Sequence, residues 1–322
     1  REGEDIFKLM AGFVATQILY VWVQTGALQK LADKPYSAAM LSSVWGFDLE
    51  RSEILCRAGE AIGLVIERKG HYRLTRKGAV LIGLPGVTAL IEHHKILYQD
   101  LLNPVGFFKG VEETQLSKFW PYVFGGGMDL KSSEVEKYSD LMSESQHVVA
   151  ADTLAAVNIP SVCRFLDVGG GKGTFVSELK KIYPKVDAAV FDLPGSHSEN
   201  SGHRCIIGSF KEDELPAGYD IISLVRILYD HRDETIRDLL GKTYSALDKG
   251  GRLIVSEPML GADRPTLWGD VYFAMYTLAM STGKTRSPDQ VSEFIKDAGF
   301  SNVTIHKSAR PFITTVIEAR KT

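Results

Sequence analysis

The chain has 322 residues, 44% of them apolar, and a formal net charge of −3. That length supplies cores for about two domains, and the near-neutral charge excludes a bulk attraction to nucleic acid or anionic lipid. Three cysteines, Cys56, Cys163 and Cys205, lack metal-like spacing. They read as small buried residues of a reducing, cytoplasmic compartment, the last two in predicted strands. The first residue is Arg1 rather than methionine, which leaves room for a removed targeting segment.

From Leu9 to Gln29 no charge occurs, a stretch about as long as a membrane-spanning helix. Thr16, Gln17, Gln24, Thr25, Gly12 and Gly26 make it polar for a span. Burial between subunits explains a helix apolar on most sides, so a dimer interface is expected. Ser37 then caps a short helix with Met40, Leu41 and Val44 on one face, which Phe47-Asp48 breaks. A second helix, Leu49 to Ile62, places Ile54, Leu55, Ala58 and Ile62 inward. Val65–Glu67, a Lys69-Gly70 turn and Tyr72–Leu74 complete a two-stranded wing.

Helix, turn, helix and wing over residues 1–90 make a winged-helix module, a fold that often binds DNA. Arg51, Arg57, Arg68, Lys69, Arg73, Arg76 and Lys77 would form its basic footprint, but Glu50, Glu53, Glu60 and Glu67 interrupt it. A charge-mixed solvated face is expected instead. A regulator remains the competing class, and steeply salt-dependent binding to arbitrary DNA would reveal it.

Residues 91–160 read as a helical connector: a helix through His93-His94 and Leu97-Tyr98, a loop through Pro104 and Gly106, a hinge at Gly125–Gly127, and a helix from about Ser133 to Val157. Residues 161–322 alternate strand and helix as a doubly wound sheet requires. The strand-like runs are Arg164–Val168, Ala188–Leu193, Cys205–Ile207, Asp220–Val225 and Arg252–Glu257. Val303–His306 and Phe312–Ala319 around Arg310-Pro311 form a closing antiparallel hairpin. Between the first strand and its helix lies Asp167-x-Gly169-x-Gly171-x-Gly173, a strand, glycine turn and helix N-terminus suited to a nucleotide. Asp192, ending the next strand, stands where a ribose-binding carboxylate belongs. A nicotinamide site would carry G-x-G-x-x-G and lack the hairpin.

Further motifs follow in order: Phe191-Asp192-Leu193-Pro194, Gly208-Ser209-Phe210, Arg226-Ile227-Leu228-Tyr229-Asp230-His231, Gly250 to Pro258, and Gly283 to Pro288. With the N-terminal module they make the chain resemble the plant-caffeate/acetylserotonin class of small-molecule O-methyltransferases over nearly its whole length. His93-His94, Asn103-Pro104-Val105, Phe119-Trp120-Pro121-Tyr122, Leu224-Val225-Arg226, Tyr272-Phe273 and Ala279-Met280 are similar to the bacterial 1-hydroxycarotenoid O-methyltransferases within it. The resemblance implies an α/β Rossmann-like seven-stranded class I methyltransferase sheet with an N-terminal winged-helix dimerisation domain. It implies a homodimer, S-adenosylmethionine (SAM) as methyl donor and S-adenosylhomocysteine as product; no metal is expected, since no His/Asp/Glu cluster has ligand spacing, and no nucleic acid, given the charge. It leaves peripheral membrane contact open, because such a substrate is insoluble in water.

Carried over by position, Gly169 and Gly171 would flank the methionine part of SAM, with Asp167 among the cofactor-binding residues. Asp192 and Leu193 would take its ribose, Ser209 and Phe210 its adenine, and Arg226 would sit nearby. His93, His94, Met142, His147, Asp270, Phe273, Met275 and Met280 would line the substrate pocket. Methylation of a phenolic or polyketide metabolite and carbon methylation of a tetrapyrrole are the rival activities.

Plant members of the class read Ile-Leu-His-Asp-Trp, with the histidine as general base; here the frame is Ile-Leu-Tyr-Asp-His. Tyr229 thus holds the base position, with His231 two residues on. Ser209 replaces the usual aspartate, and Thr285 replaces one of two carboxylates that orient the plant histidine, leaving Glu257. An aliphatic hydroxyl makes the loss reasonable. A phenol titrates near about 10, whereas an alcohol is nearer to water at roughly 15.7. Full deprotonation by histidine would cost on the order of 12 kcal/mol, so the proton must leave during or after methyl transfer. A weak relay then suffices, with Tyr229 or His231 as the candidates and Glu257 as electrostatic support. Asp230 reads as no more than a helix cap.

Overall fold

The computed structural model describes residues 2–119, 145–194, 196 and 202–322. They form two compact units, Arg1–Lys95 and Ile96–Thr322. The Gly125–Gly127 hinge, Trp120–Tyr122, Met142 and the start of the helix expected from Ser133 lie outside the described residues.

The first unit holds α1 (Glu2–Gln24), α2 (Ala27–Asp33), α3 (Ala38–Trp45), α4 (Leu49–Ala61), the hairpin β1 (Val65–Arg68) and β2 (His71–Leu74), and α5 (Arg76–Gly83). Caps set its helix starts. Ser37 Oγ accepts from Met40 N at 3.2 Å, and Asp48 Oδ1 accepts from Arg51 N at 2.8 Å. The uncharged stretch expected as one helix is two, because Gly26 turns left-handed at φ 68°. Trp22 is enclosed, donates its indole N–H to Leu55 O at 3.3 Å and meets Trp45 edge-on at 5.2 Å. A Cβ on Gly59 would lie 2.5 Å from the Trp22 ring, so only glycine admits that contact. This fixes the inner face of α4 as Ser52, Leu55, Cys56 and Gly59, and leaves Ile54, expected inward, exposed. Ile6, Phe7, Leu9, Met10 and Phe13 of α1 are also exposed. By length and composition α1 could cross a membrane, a test that core helices and signal sequences also pass.

The helix α6 (Pro85–Asp100) leads into the second unit, followed by α7 (Pro104–Lys109) and α8 (Gln115–Phe119). The loop expected at Pro104 is helical, because Asn103 Oδ1 caps Gly106 N at 3.1 Å and proline is tolerated in a first turn. Residues 145–156 form α9. The sheet consists of β3 (Arg164–Val168), β4 (Asp187–Asp192), β5 (Arg204–Ile207), β6 (Tyr219–Val225), β7 (Leu247–Glu257), β8 (Ser301–His306) and β9 (Thr315–Arg320). Cys163 falls just before β3 rather than in it.

Strand order is β5-β4-β3-β6-β7-β9-β8, parallel except for β9, which runs antiparallel to both its neighbours. Neighbouring strand residues face opposite sides. Leu166, Ile222, Leu253 and Val255 pack on one face with α11 (Asp233–Ala246) and α13 (Pro288–Asp297). Phe165, Ile221 and Ile254 pack on the other with α9 and α10 (Thr174–Ile182). The chain builds outward from β3 to β5 and then returns to β6, so the switch in direction lies between β3 and β6. A doubly wound sheet opens its ligand crevice at that point, beyond the strands' carboxyl ends.

Candidate active site

Beyond β3, Gly169, Gly171 and Gly173 adopt φ of 71°, 54° and 76°, values that side-chain-bearing residues seldom hold. A Cβ on Gly169 would collide with Ile227 Cδ1, whereas one on Gly171 would meet nothing within 4 Å. The turn is therefore tight beneath and open above. Asp192 Oδ2 accepts from Gly171 N and its Oδ1 from Leu193 N, both at 2.6 Å. These bonds hold the carboxylate at the lip of the turn, where a ribose diol would be recognised. The helix α10 starts at Gly173 without a side-chain cap. Turn, carboxylate and helix end together fit a nucleoside donor.

Asp167 lies below this surface. It is 1% exposed, and its Oδ1 accepts from Ser223 Oγ at 2.6 Å. Burial, opposed by that bond and aided by the charge of Asp192, pushes its pKa up to about 7. Ser209 N donates to Asp213 Oδ2 at 2.8 Å, and the Phe210 ring meets His231 edge-on at 5.3 Å. Burial, with the charges of Lys211 and Arg286, holds His231 down at about 4 and therefore neutral.

The end of β6 carries the reactive-looking groups. Arg226, at φ 60°, donates from its backbone to Ser256 O at 2.8 Å. Its Nη1 donates to Ser145 Oγ at 2.6 Å, and its Nη2 lies 3.4 Å from the Tyr229 hydroxyl. Leu228–Asp230 form a 3-10 turn. Glu257 Oε2 accepts from Tyr229 N at 3.2 Å. Burial lifts Glu257 to about 8, against the nearby charge of Arg286, and lifts the Tyr229 phenol above its ordinary value. Asp230 is raised to about 7 by burial. Thr285 is buried and shares a 3.0 Å hydroxyl contact with Thr277.

The expected substrate residues divide. Leu267–Phe273 form a π-helical turn that runs into α12 (Ala274–Ala279), bringing Tyr272, Phe273, Met275 and Tyr276 close together. Met280 is wholly enclosed with Leu97, Phe107 and Leu116. Asp270 fastens its own loop, its Oδ2 accepting from Gly261 N at 2.8 Å and Thr266 N at 2.7 Å. His147 is exposed and pairs with Glu178 Oε1 at 2.9 Å. His93 and His94 are lowered to about 4 by burial. Among the described residues no group of three or more His, Cys, Asp or Glu could hold a metal ion.

Arg286 was missed as a functional support. Buried at 1% exposure, it donates to the carbonyls of Leu228, His231 and Lys284 and to Asp233. Only its presence in the Gly283–Pro288 motif pointed to it.

These buried acids make stability depend on pH. Asp167 and Asp230 titrate near 7 and Glu257 near 8 when folded, against about 4 unfolded. The folded chain holds their protons longer, so their contribution is lost as pH rises through the folded values. His93, His94 and His231 act oppositely, favouring the folded state increasingly from pH 4 to 6.5. Below 6.5 these histidines, together with the lowered His203, oppose the acids, and above it the raised acids set the slope. The melting temperature should therefore fall between pH 6.5 and about 8, and fall less in Glu257→Gln. A flat or rising profile across that range would contradict the assignment.

Residues 98–301 match the O-methyltransferase domain family. The sequence is 43% identical to demethylspheroidene O-methyltransferase of Rhodobacter capsulatus, covering 100% of this chain and 83% of that protein. It is 41% identical to the enzyme of the same name from Cereibacter sphaeroides, covering 99% and 87%. Its fold is similar to that of human N-acetylserotonin methyltransferase solved with SAM, at a TM-score of 0.78, 22% identity and coverage of 100% and 98%. With more than half of its length matched by the family and two relatives above 40% identity along nearly all of it, the chain belongs to the O-methyltransferase domain family.

Proposed function

We propose that this chain methylates the hydroxyl of a 1-hydroxycarotenoid with SAM, in carotenoid biosynthesis, yielding the methoxy compound and S-adenosylhomocysteine. The observation that carries this reading is the 43% identity, along the full chain, to an enzyme named for such a substrate. When bound, SAM supplies an electrophilic methyl group on a sulfonium. Gly171 leaves the space for it and Gly169 shapes the turn beneath, Asp192 and Leu193 hold the ribose, and Ser209 and Phe210 border the adenine. His231, neutral and against Phe210, belongs on that nucleoside side.

Tyr229 is then the proton relay. Glu257 grips its backbone, and Arg226 flanks its hydroxyl. Phe273 and Met275, with Tyr272 and Tyr276, supply the apolar wall that an elongated polyene requires. Asp270, bound to its loop, is left out of that wall. We further read residues 1–90 as a winged-helix dimerisation domain, 91–160 as the connector and 161–322 as the SAM-binding domain. The exposed apolar residues of α1 support a homodimer interface. A cytoplasmic enzyme touching the membrane periphery accords with so insoluble a substrate.

Incubation with SAM and a 1-hydroxycarotenoid should give a product heavier by one CH2, identified by mass spectrometry. Transfer to a phenol but to no such alcohol would overturn the substrate class. Asp192→Ala should weaken SAM binding by about 1–3 kcal/mol, the scale of a lost buried hydrogen bond, or roughly 5–150-fold. An unchanged calorimetric titration would remove Asp192 from the site.

A further inference from the structure

Asp230 was read from the sequence as a helix cap, and its surroundings do not support that. The helix α11 is capped at Arg232 with no side-chain bond. Asp230 Oδ1 is buried and has no hydrogen-bond partner among the described residues. The Tyr229 hydroxyl, on the preceding residue, favours the ionised form of the same carboxylate. Leaving a buried acceptor unsatisfied costs about 1–3 kcal/mol. A fold that tolerates this holds an acid ready for a proton. Arg226, Tyr229, Glu257 and Tyr276 are the charged or titratable groups that face it.

Resting on the function proposed above, we infer that Asp230 is the terminal proton acceptor of methyl transfer, reached through the Tyr229 phenol. As the alcohol oxygen bonds to the methyl carbon, the carbon–sulfur bond breaks and its electron pair stays on sulfur. The hydroxyl proton passes to the Tyr229 oxygen, and the phenolic proton passes to Asp230. Tyr229 ends neutral, Asp230 ends as the acid, and the sulfonium and carboxylate charges disappear together. No alkoxide or phenolate forms. The raised titration of Asp230, near 7, suits it to release the proton again at neutral pH. Asp230 positions and drains the relay rather than touching the substrate.

Single-turnover transfer should climb with pH through about 7 in the wild type and lose that climb in Asp230→Asn, with a fall of about 10²–10⁴-fold. SAM binding should persist. Asp230→Ala should regain rate in proportion to added formate, which a structural role would not produce. Carbon-13 NMR of labelled aspartate in the ligand-free enzyme gives a readout without turnover. Two aspartate carboxyls, those of Asp167 and Asp230, should titrate near 7, and the one that shifts in Tyr229→Phe should be absent from Asp230→Asn. If Asp230→Asn does not fold, that resonance, assigned through Tyr229→Phe, decides the matter, and titration in the ordinary carboxylate range overturns the inference. A wild-type rate and profile in Asp230→Asn overturns it too, while leaving the alcohol methylation standing. Failure of the wild type to methylate any 1-hydroxycarotenoid overturns both.

Discussion

Arg286→Met should lower the free energy of unfolding by about 3–5 kcal/mol, the usual consequence of removing one partner from a buried ionic network. The guanidinium is almost wholly enclosed. Its Nε and Nη2 donate to Asp233 Oδ1 at 3.0 and 2.6 Å, its Nη1 to Leu228 O and Lys284 O at 3.2 and 2.7 Å, and its Nη2 also to His231 O at 2.9 Å. Methionine fills the volume and satisfies none of these acceptors. Lysine restores the charge but not the planar fork, so Arg286→Lys should recover only part of the loss. The neighbouring Lys284–Asp233 pair at 3.0 Å is largely exposed, and Lys284→Met should cost less than about 1 kcal/mol.

Loss of Arg286 should also reach the site. The guanidinium charge depresses both His231 and Glu257, so both should titrate higher without it. Urea denaturation with histidine NMR checks both effects. A variant within about 0.5 kcal/mol of wild type, in the range of ordinary surface substitutions, would show that Arg286 does not hold the 228–233 segment.

That network also shows where reading the sequence stopped. The caps at Ser37 and Asp48, the alternating strands and the final hairpin were legible because their signals are local. The glycine turn and Asp192 were legible for the same reason. Gly26 was not, because a left-handed glycine inside an apolar run looks like a helix interior until its φ is known. At Pro104 the sequence reads as a loop, because the Asn103 cap that makes a first-turn proline helical is not visible in residue types. The phase of α4 depends on Trp22 resting on Gly59, a contact between distant segments, so Ile54 was placed on the wrong face. Arg286 finds its main partners 53 to 58 residues away, and no periodicity announces such a contact. Asp270 reads from the sequence as a substrate residue, and the bonds by which its carboxylate fastens a loop cannot be read from residue types. Tyr229 and His231 could not be ranked by sequence. Their surroundings differ, one beside Arg226, the other against Phe210, and the proposed roles rest on that difference.

Tyr229→Phe should slow single-turnover methylation of an alcohol by about 10²–10⁴-fold, the range for loss of a positioned proton-transfer group, while leaving SAM affinity nearly unchanged. The substitution removes one oxygen. Glu257 keeps its bond to the residue 229 backbone, and Arg226 keeps Ser145, so the fold of the turn should survive. His231→Ala should do the reverse, weakening SAM binding more than transfer, because its ring faces Phe210. Substrate acidity supplies the sharper contrast. An alcohol near 15.7 cannot lose its proton to any base present here before the methyl moves, so its transfer needs the relay at the moment of reaction. A phenol near about 10 ionises at a far smaller cost and needs the relay much less. Tyr229→Phe should therefore penalise an alcohol acceptor at least tenfold more than a phenolic one offered to the same enzyme, a ratio worth about 1.4 kcal/mol. Equal penalties on the two acceptors would mean that Tyr229 shapes the pocket without carrying the proton, and the wall residues rather than the relay would then account for the choice of substrate.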